Sequence, residues 1–367
     1  MVGRVGAEQA QCLTVAMPHP PTAGAARYRE LLVTSAMEAV NSNLAVGTAA
    51  RYKASADLYR TMCFETGNSR SAGEFVPPTV ALLVLYVAHL ARRSIQASTV
   101  HSHLSGLRYE AMRRMCADPY VGARMPAVLA AAVVGFARLR EMDPTRIVKV
   151  AVARLPVSPA MMLALMNQAS ISLSPFDAAM MRLTFLLAFF GANRMGELMV
   201  GVGKFDPRLN LIERRVTIVS EDDVVSVNVH LTASKTDRMM RGVNVRCVDF
   251  SGQFSVVVAL TEWLRYRASV KGTGPDTAFF VSEAGTPLTT AKFRDLLNIL
   301  CRATGLPVGI MPHSFRIGAA SALIEGGASR EMTMVYGRWT SSAVDLYIRQ
   351  TAIDRKRLAT LLMTSLL

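Results

Sequence analysis

Cysteine is scarce in this chain of 367 residues, and no two cysteines are spaced as C-x-x-C. A disulfide framework needs paired cysteines, and the common structural zinc sites need clustered ones. The sequence therefore argues against both and indicates reduced thiols. We expect a nuclear location in a eukaryotic host and a cytoplasmic one otherwise. The five cysteines are odd in number and scattered: Cys12, Cys63, Cys116, Cys247 and Cys301.

Long apolar runs are lacking as well. The longest two, Val128–Ala137 and Leu183–Ala192, fall short of the roughly 20 residues that a membrane-spanning helix needs. We interpret both as buried helices, and we expect no membrane partner. Residues 1–25 contain prolines and small residues but no apolar stretch adequate for a signal peptide, so they are predicted to form a flexible leader.

Acidic residues are outnumbered, because 41 Lys and Arg face 27 Asp and Glu and leave a net charge of +14. Met1–Val150 has 17 basic and 10 acidic residues and the remainder has 24 and 17, so each part carries +7. Ribosomal and membrane-surface proteins share such a charge. An even distribution is nevertheless what we expect if both parts contact one DNA duplex.

The apolar periodicity predicts two domains after the leader. The first, residues 26–152, is helical; the second, residues 153–367, is mainly α with a small antiparallel β-sheet. A segment bounded by prolines and containing Lys149 and Arg154, Asp143–Pro159, is the predicted linker, with the boundary near residue 152. Predicted helices of the first domain are Ala26–Val40, Val46–Thr66, Thr79–Arg93, Ala97–Cys116 and Ala123–Glu141.

In the second domain, alternating apolar residues predict three strands and longer periodic stretches predict helices. The strands are Arg215–Ser220, Val224–Thr232 and Val243–Phe250. The helices are Pro175–Phe190, Ser255–Ser269, Thr289–Thr304, His313–Glu325, Arg330–Tyr336, Ala343–Thr351 and Asp354–Met363.

The fourth predicted helix presents a polar and basic face. Ser98 or Thr99 is a suitable N-cap for it. Such a face can lie along a phosphate backbone, although a plain solvent-exposed surface is an equally good interpretation. The candidate DNA-binding residues are Ser98, Thr99, His101, Ser105, Arg108 and Arg113, with His103 and Arg114 beside them.

The last third of the chain carries residues suited to phosphate chemistry. His313 and Arg316 are three apart, so on a helix they lie on one face and can bind the same anion. Pro312 suits the start of that helix, whose N-terminal dipole attracts an anion. Trp339 offers an indole N–H that cannot ionise. Tyr347 is a candidate nucleophile, and Tyr336 is its rival, although we expect Tyr336 to face the core.

Two upstream segments complete the set. Arg194 follows the apolar helix Pro175–Phe190, and Glu197, three residues later, can orient its guanidinium. Lys235 lies in a polar loop between two predicted strands, from which an ammonium can reach a cleft; Arg238 competes for that role. Each residue alone is unremarkable, but the ordered set Arg, Lys, His-x-x-Arg, Trp, Tyr indicates metal-free cleavage of a DNA phosphodiester through tyrosine.

The set resembles that of the tyrosine recombinase (phage integrase-like) family over roughly residues 27–367. The strongest stretch, Pro312–Arg349, is similar to recombinases of eukaryotic DIRS and Crypton mobile elements. Leu85–Leu90 and Ala97–Arg108 resemble the helical core-binding domain of the family. The resemblance implies a helical DNA-binding domain and a catalytic domain that close as a C-shaped clamp around double-stranded DNA.

The resemblance also implies roles for the residues. Arg194 and Arg316 would clamp the phosphate, with Glu197 as support, and Tyr347 would attack it. His313 and Lys235 would be the acid–base pair, and Trp339 would take the second-histidine or tryptophan position. No cofactor or metal is implied, and four copies would assemble on DNA from monomers or dimers. A type IB topoisomerase-like enzyme and an inactive DNA-binding derivative remain alternatives.

Overall fold

The computed structural model describes residues 46–114, 116–120, 124–142, 154–201, 203–232, 240–307 and 309–340, together with isolated positions elsewhere. The chain forms two compact units, Met1–Lys149 and Val150–Leu367. The boundary predicted near residue 152 lies outside the described residues. So do the leader and the predicted helices Ala343–Thr351 and Asp354–Met363, apart from single positions. Of the predicted helix Ala26–Val40, eight of the 15 residues are described, and all eight are helical.

The first unit is helical over its described residues. Its helices are α1 (Val46–Glu65), α2 (Val80–Arg92), α3 (Ala97–Arg113) and α4 (Ala127–Met142). The prediction that Ser98 or Thr99 caps α3 is wrong. The helix begins at Ala97 after an extended Gln96, whose carbonyl oxygen accepts the Thr99 amide at 2.8 Å, so the backbone itself closes the first turn.

The core of this unit depends on a close approach of α1 and α3. A Cβ at Gly106 would lie 3.0 Å from the Cα of Tyr52, so only glycine permits the observed spacing. Tyr86 is fully buried, and its hydroxyl donates to the Ser55 carbonyl at 2.8 Å, which satisfies the polar end of the ring. Around it pack Tyr59, Met62, Leu83, Leu90, Leu104, Leu107 and Leu129.

The second unit is a helical layer with one small sheet, which confirms the predicted fold class. Its strands are β1 (Val216–Glu221), β2 (Val224–Leu231) and β3 (Val243–Val248), antiparallel in the order β1-β2-β3. Val227 pairs with Ile218 on one side and with Cys247 on the other. The helices are α5 (Pro159–Ser172), α6 (Pro175–Phe190), α7 (Met195–Leu198), α8 (Val256–Ala268), α9 (Thr290–Ala303), α10 (Ser314–Glu325) and α11 (Arg330–Gly337).

Helix α6 is the centre of this unit. Ser174 caps its start by accepting the Asp177 amide, and Pro175 occupies the first turn, where no amide hydrogen is needed. Apart from Asp177 and Arg182 the helix is almost wholly apolar, and most of it is buried where it packs against α5, α8 and α10. Phe185 of α6 stacks on Phe315 of α10 with ring centroids 4.9 Å apart. This contact ties α10 to the core.

Among the described residues, no helix is both long enough and apolar enough to cross a lipid bilayer.

Candidate functional site

Arg194 and Glu197 form a capping pair just after α6. The chain leaves α6 at Gly191, and Arg194 precedes α7 in an extended conformation. Glu197 accepts the Arg194 amide at Oε2, at 2.8 Å, and the Arg194 Nη1 at Oε1, at 2.7 Å. The carboxylate is 4% exposed and the guanidinium side chain 23%. The predicted orienting contact is therefore present, with the arginine still open to solvent on one side.

Arg316 lies on the first turn of α10 and is almost fully buried. Its two terminal nitrogens donate to the carbonyl oxygens of Ala192 and Gly337. Its guanidinium carbon lies 4.3 Å from the ring centroid of Trp339, a cation–π contact. Because Ala192 lies only two residues before Arg194, these bonds place both predicted clamping arginines in one cluster.

The indole ring of Trp339 packs against the guanidinium of Arg316 in this cluster. Its ring is 7% exposed and packs with Ala320 and Val344. A Cβ at Gly337 would overlap the indole at 1.7 Å, so glycine is required for the ring to fold back over the end of α11. The indole thus acts as a platform for Arg316, whereas its predicted hydrogen bond to phosphate stays a prediction.

Arg338 is a member of the site that sequence reasoning missed. It has φ 57° and ψ 43°, the left-handed conformation, directly after α11. Its Nη2 donates to Asn193 Oδ1 at 3.0 Å, Glu197 Oε2 at 3.2 Å and the Ala192 carbonyl at 3.4 Å. Burial lowers its pKa, an effect that the nearby Glu197 partly offsets. The signal in the sequence was its place directly before Trp339.

His313 lies one residue before α10, so the helix begins at Ser314 rather than at His313 as predicted. Its backbone is helical, at φ −77° and ψ −14°, and its carbonyl oxygen accepts the Ile317 amide at 3.2 Å. The side chain is half-buried and has its own contacts. His313 and Arg316 therefore keep the helical spacing on which their pairing was predicted.

Lys235, its competitor Arg238 and Tyr347 lie outside the described residues. Asp237, two residues after Lys235 in the sequence, is described, and its Oδ2 accepts the Gly242 amide at 2.8 Å. Asp237 lines the same cavity as Arg194.

The rival nucleophile Tyr336 was expected to face the core, and this was wrong. The residue is 43% exposed, while its hydroxyl donates to the Phe190 carbonyl oxygen. Burial of the hydroxyl end raises its pKa to about 12. A phenol whose proton is engaged by a carbonyl and whose pKa is raised is a poor nucleophile.

An open cavity of about 600 Å³ adjoins the cluster. Arg194, Arg338 and Trp339 line it, together with the acidic residues Asp237 and Glu331. A surface that offers guanidinium donors with fixed geometry can bind a phosphate by charge-assisted, bidentate hydrogen bonds. Within the part of the chain that the structure describes, no three His, Cys, Asp or Glu side chains are grouped to hold a metal ion.

The first unit holds the predicted DNA-binding face on α3. Ser98, Thr99, His101 and Ser105 are exposed there. A groove of about 360 Å³ lies between this face and α1, lined by Arg51, Thr99, His101 and Ser105 among others.

Two other candidate DNA-binding residues, Arg108 and Arg113, already form ion pairs within the protein. Arg108 donates to Asp118 at 2.9 Å, and Arg113 donates to Glu110 at 2.9 Å. Both side chains are partly buried, and because each is paired with a carboxylate it would have to leave that partner in order to reach DNA.

One known protein family matches the part of the chain that carries this site. The model of the phage integrase family matches residues 163–352, just over half of the chain and all of the arginine cluster. The chain belongs to the phage integrase family. No curated protein matches this chain in sequence.

Two solved structures of recombinases are similar to this chain. The XerH site-specific recombinase bound to a palindromic difH substrate, a post-cleavage complex, has a TM-score of 0.55 at 13% identity, over 83% of this chain and 76% of that one. A lambda integrase dimer bound to a COC′ core site has a TM-score of 0.49 at 15% identity, over 93% and 83%. The XerH likeness shows that the two proteins share a fold.

Proposed function

We propose that this protein is a site-specific DNA recombinase that cuts and rejoins strands through a 3′-phosphotyrosine intermediate formed on Tyr347. The observation that carries the proposal is the convergence of Arg194 and Arg316 on one cluster, from segments 122 positions apart in sequence. Membership of the phage integrase family supports it. The DNA-bound state of XerH in its structure supports double-stranded DNA as the partner.

In the proposed reaction, the Tyr347 oxygen bonds to the scissile phosphorus and the bond from phosphorus to the 5′ oxygen breaks. The phenol of free tyrosine has a pKa near 10, so a base is needed at neutral pH, and His313 is our candidate. Lys235 supplies the proton to the departing 5′ oxygen. Arg194 and Arg316 stabilise the charge that builds on the non-bridging oxygens. A second strand's 5′-hydroxyl reverses the step, since the phosphotyrosyl bond conserves the energy.

The decisive experiment incubates the protein with nicked suicide duplexes taken from DNA flanking its gene. We expect a covalent protein–DNA band with the parent chain and none with Tyr347→Phe, which should still bind the duplex. Tyr336→Phe is the matched control and should keep the band. An adduct that persists in Tyr347→Phe and disappears in Tyr336→Phe would reverse the assignment of the nucleophile.

Relaxation of supercoiled plasmid separates the alternatives. A type IB topoisomerase-like enzyme relaxes plasmid without a specific site, whereas a recombinase needs its site. An inactive derivative would bind duplex yet form no adduct on any flank.

We propose that the exposed residues of α3 contact the phosphate backbone, together with Arg51 across the groove. Arg108 and Arg113 are left out of this contact because their ion pairs already satisfy them. Replacing Arg51 and His101 by Ala should weaken duplex binding for all sequences alike, as measured by fluorescence anisotropy. Unchanged affinity would remove this surface from the interface.

Two finer assignments rest on the sequence. We propose descent from DIRS or Crypton-type elements, which the stretch Pro312–Arg349 supports, and a tetrameric assembly on DNA. Light scattering of the protein with and without a two-site duplex tests the assembly. A complex that stays at one copy per site, with no larger species, would contradict it.

A further inference from the structure

Arg338 occupies a backbone conformation that favours glycine. Side chains other than glycine are disfavoured at φ 57°, because the Cβ crowds the following carbonyl. A helix that ends in this conformation usually has glycine there. Arg338 therefore adopts a strained backbone conformation, and this indicates that its side chain makes contacts that glycine could not make.

The contacts of Arg338 all fall on the segment that presents Arg194. Nη2 donates to Ala192 O, Asn193 Oδ1 and Glu197 Oε2, at 3.4, 3.0 and 3.2 Å. The side chain is 19% exposed and lines the cavity beside Arg194. These bonds join the end of α11 to the loop between α6 and α7.

The Glu197 carboxylate is divided between two arginines. Oε1 accepts Nη1 of Arg194, and Oε2 accepts Nη2 of Arg338 and the Arg194 amide. A carboxylate with both oxygens available pairs with a guanidinium through two parallel hydrogen bonds. Such a pairing would occupy two of the donors that Arg194 needs for a phosphate. Arg338 competes for the second oxygen.

We propose that Arg338 is a positioning residue. By occupying Oε2 of Glu197 it leaves only Oε1 to bind the guanidinium of Arg194, so that the remaining guanidinium donors of Arg194 face the scissile phosphate. This inference rests on the proposed recombinase function, in which Arg194 clamps that phosphate. It assigns Arg338 no direct contact with the reacting atoms.

Arg338→Gly is the test variant, because glycine suits the backbone conformation and only the guanidinium is lost. Arg338→Lys keeps a cation that can still reach one oxygen of Glu197. Ser94→Gly is the matched control: Ser94 has φ 58°, is exposed and lies after α2 in the other unit. All are made in the full chain.

The first readout needs no DNA. Amide hydrogen exchange of peptides covering residues 191–198 should become faster in Arg338→Gly, because three hydrogen bonds onto that segment are lost. Arg338→Lys should lie between parent and Arg338→Gly, and Ser94→Gly should match the parent. Unchanged exchange of these peptides in Arg338→Gly would overturn the proposal.

The second readout is the rate of adduct formation on the nicked suicide duplex. We expect Arg338→Gly to slow it by about a hundredfold while duplex affinity stays within about threefold, because a misplaced catalytic group costs rate more than binding. Arg338→Lys should restore part of the rate. Loss of affinity in proportion to rate would show a direct phosphate contact instead and overturn the positioning role.

A double-mutant cycle with Glu197→Gln measures whether Arg338 acts through Glu197. If Arg338 acts through Glu197, the losses of the two single variants should not multiply in the double variant. Fully multiplicative losses would show that Arg338 acts by another route. A parent protein that forms no adduct on any duplex would sink the proposed function alone, and the exchange measurement would still decide whether Arg338 holds the segment.

Discussion

At the scale of single residues, two arginines in the described part of the second unit are almost fully buried, and they serve different purposes. Arg267 is 2% exposed and donates to Glu213, Thr277 and the carbonyl oxygens of Gly274, Ala278 and Phe279. It ties the loop after α8 to the core. Arg316 is held by two carbonyl oxygens. A carbonyl orients a guanidinium without carrying a full negative charge, so Arg316 keeps attraction for an anion.

Replacing Arg267 by Met should destabilise the protein by about 3 kcal/mol, because Glu213 and several buried carbonyl oxygens lose their donor. The free energy of unfolding from urea titration measures the change. Arg302→Met is the control; Arg302 is exposed, and its loss should cost less than about 0.5 kcal/mol. Equal effects in the two variants would show that the Arg267 network contributes nothing.

Glu110 on α3 gives the first unit a pH dependence. Burial raises its pKa, but the hydrogen bonds from Arg113 and Arg114 outweigh burial, so the pKa is lowered in the folded state. A lowered folded pKa stabilises the protein above the unfolded value near 4.3, and the contribution is lost as pH falls through the folded pKa.

The measurable outcome is a difference between the parent and Glu110→Gln in thermal unfolding. At about pH 7 the parent should have the higher midpoint, and below about pH 4 the two midpoints should converge. A gap that stays constant down to about pH 3 would mean that the charge of Glu110 plays no part.

At the scale of elements, the position of α10 depends on one glycine. A Cβ at Gly318 would lie 2.0 Å from the Val157 carbonyl oxygen, and the Val157 amide donates to the Ser314 carbonyl at 3.0 Å. The segment before α5 thus crosses directly over the helix that carries Arg316. A side chain at this position must push the two apart.

Gly318→Ala should therefore destabilise the protein by about 2 kcal/mol and slow adduct formation, because α10 shifts with its arginine. Gly135→Ala in α4 is the control, since a Cβ there meets nothing within 4 Å. That change should raise stability by about 0.5–1 kcal/mol through helix propensity. If both alanines stabilise, the packing of α10 on Val157 is looser than described.

At the scale of the whole molecule, the net charge of +14 is divided equally between the two parts of the chain. Binding of a duplex by many basic residues releases condensed counterions, so affinity falls steeply with salt. If six or more phosphates are contacted, affinity should drop about a thousandfold between about 50 and 200 mM salt.

Anisotropy titrations of the full chain against a duplex, at several salt concentrations, give the slope. A loss of less than about tenfold over this range would mean that only one or two phosphates are contacted. The charge would then serve solubility rather than DNA binding.

Much of the site could be read from local sequence. The spacing of Arg194 and Glu197 predicted a contact within one helical turn, and such contacts depend only on near neighbours. Arg338 could not be found in this way. Its role arises because the end of α11 folds back onto the loop after α6, about 145 positions earlier, a packing that no local pattern encodes. Tyr336 was misjudged for the same reason, since its partner is the Phe190 carbonyl.

The sequence by itself determined the family, the predominance of helix, the small antiparallel sheet and the identity of the predicted phosphate-binding residues. Apolar periodicity and residue spacing are properties of short segments, so they survive without knowledge of the fold. Tertiary structure alone decided that Ala192, Glu197, Arg316 and Arg338 share one hydrogen-bonded cluster. It did so because burying α6 against α10 brings the ends of three distant segments together, and the buried arginines must find oxygen partners there.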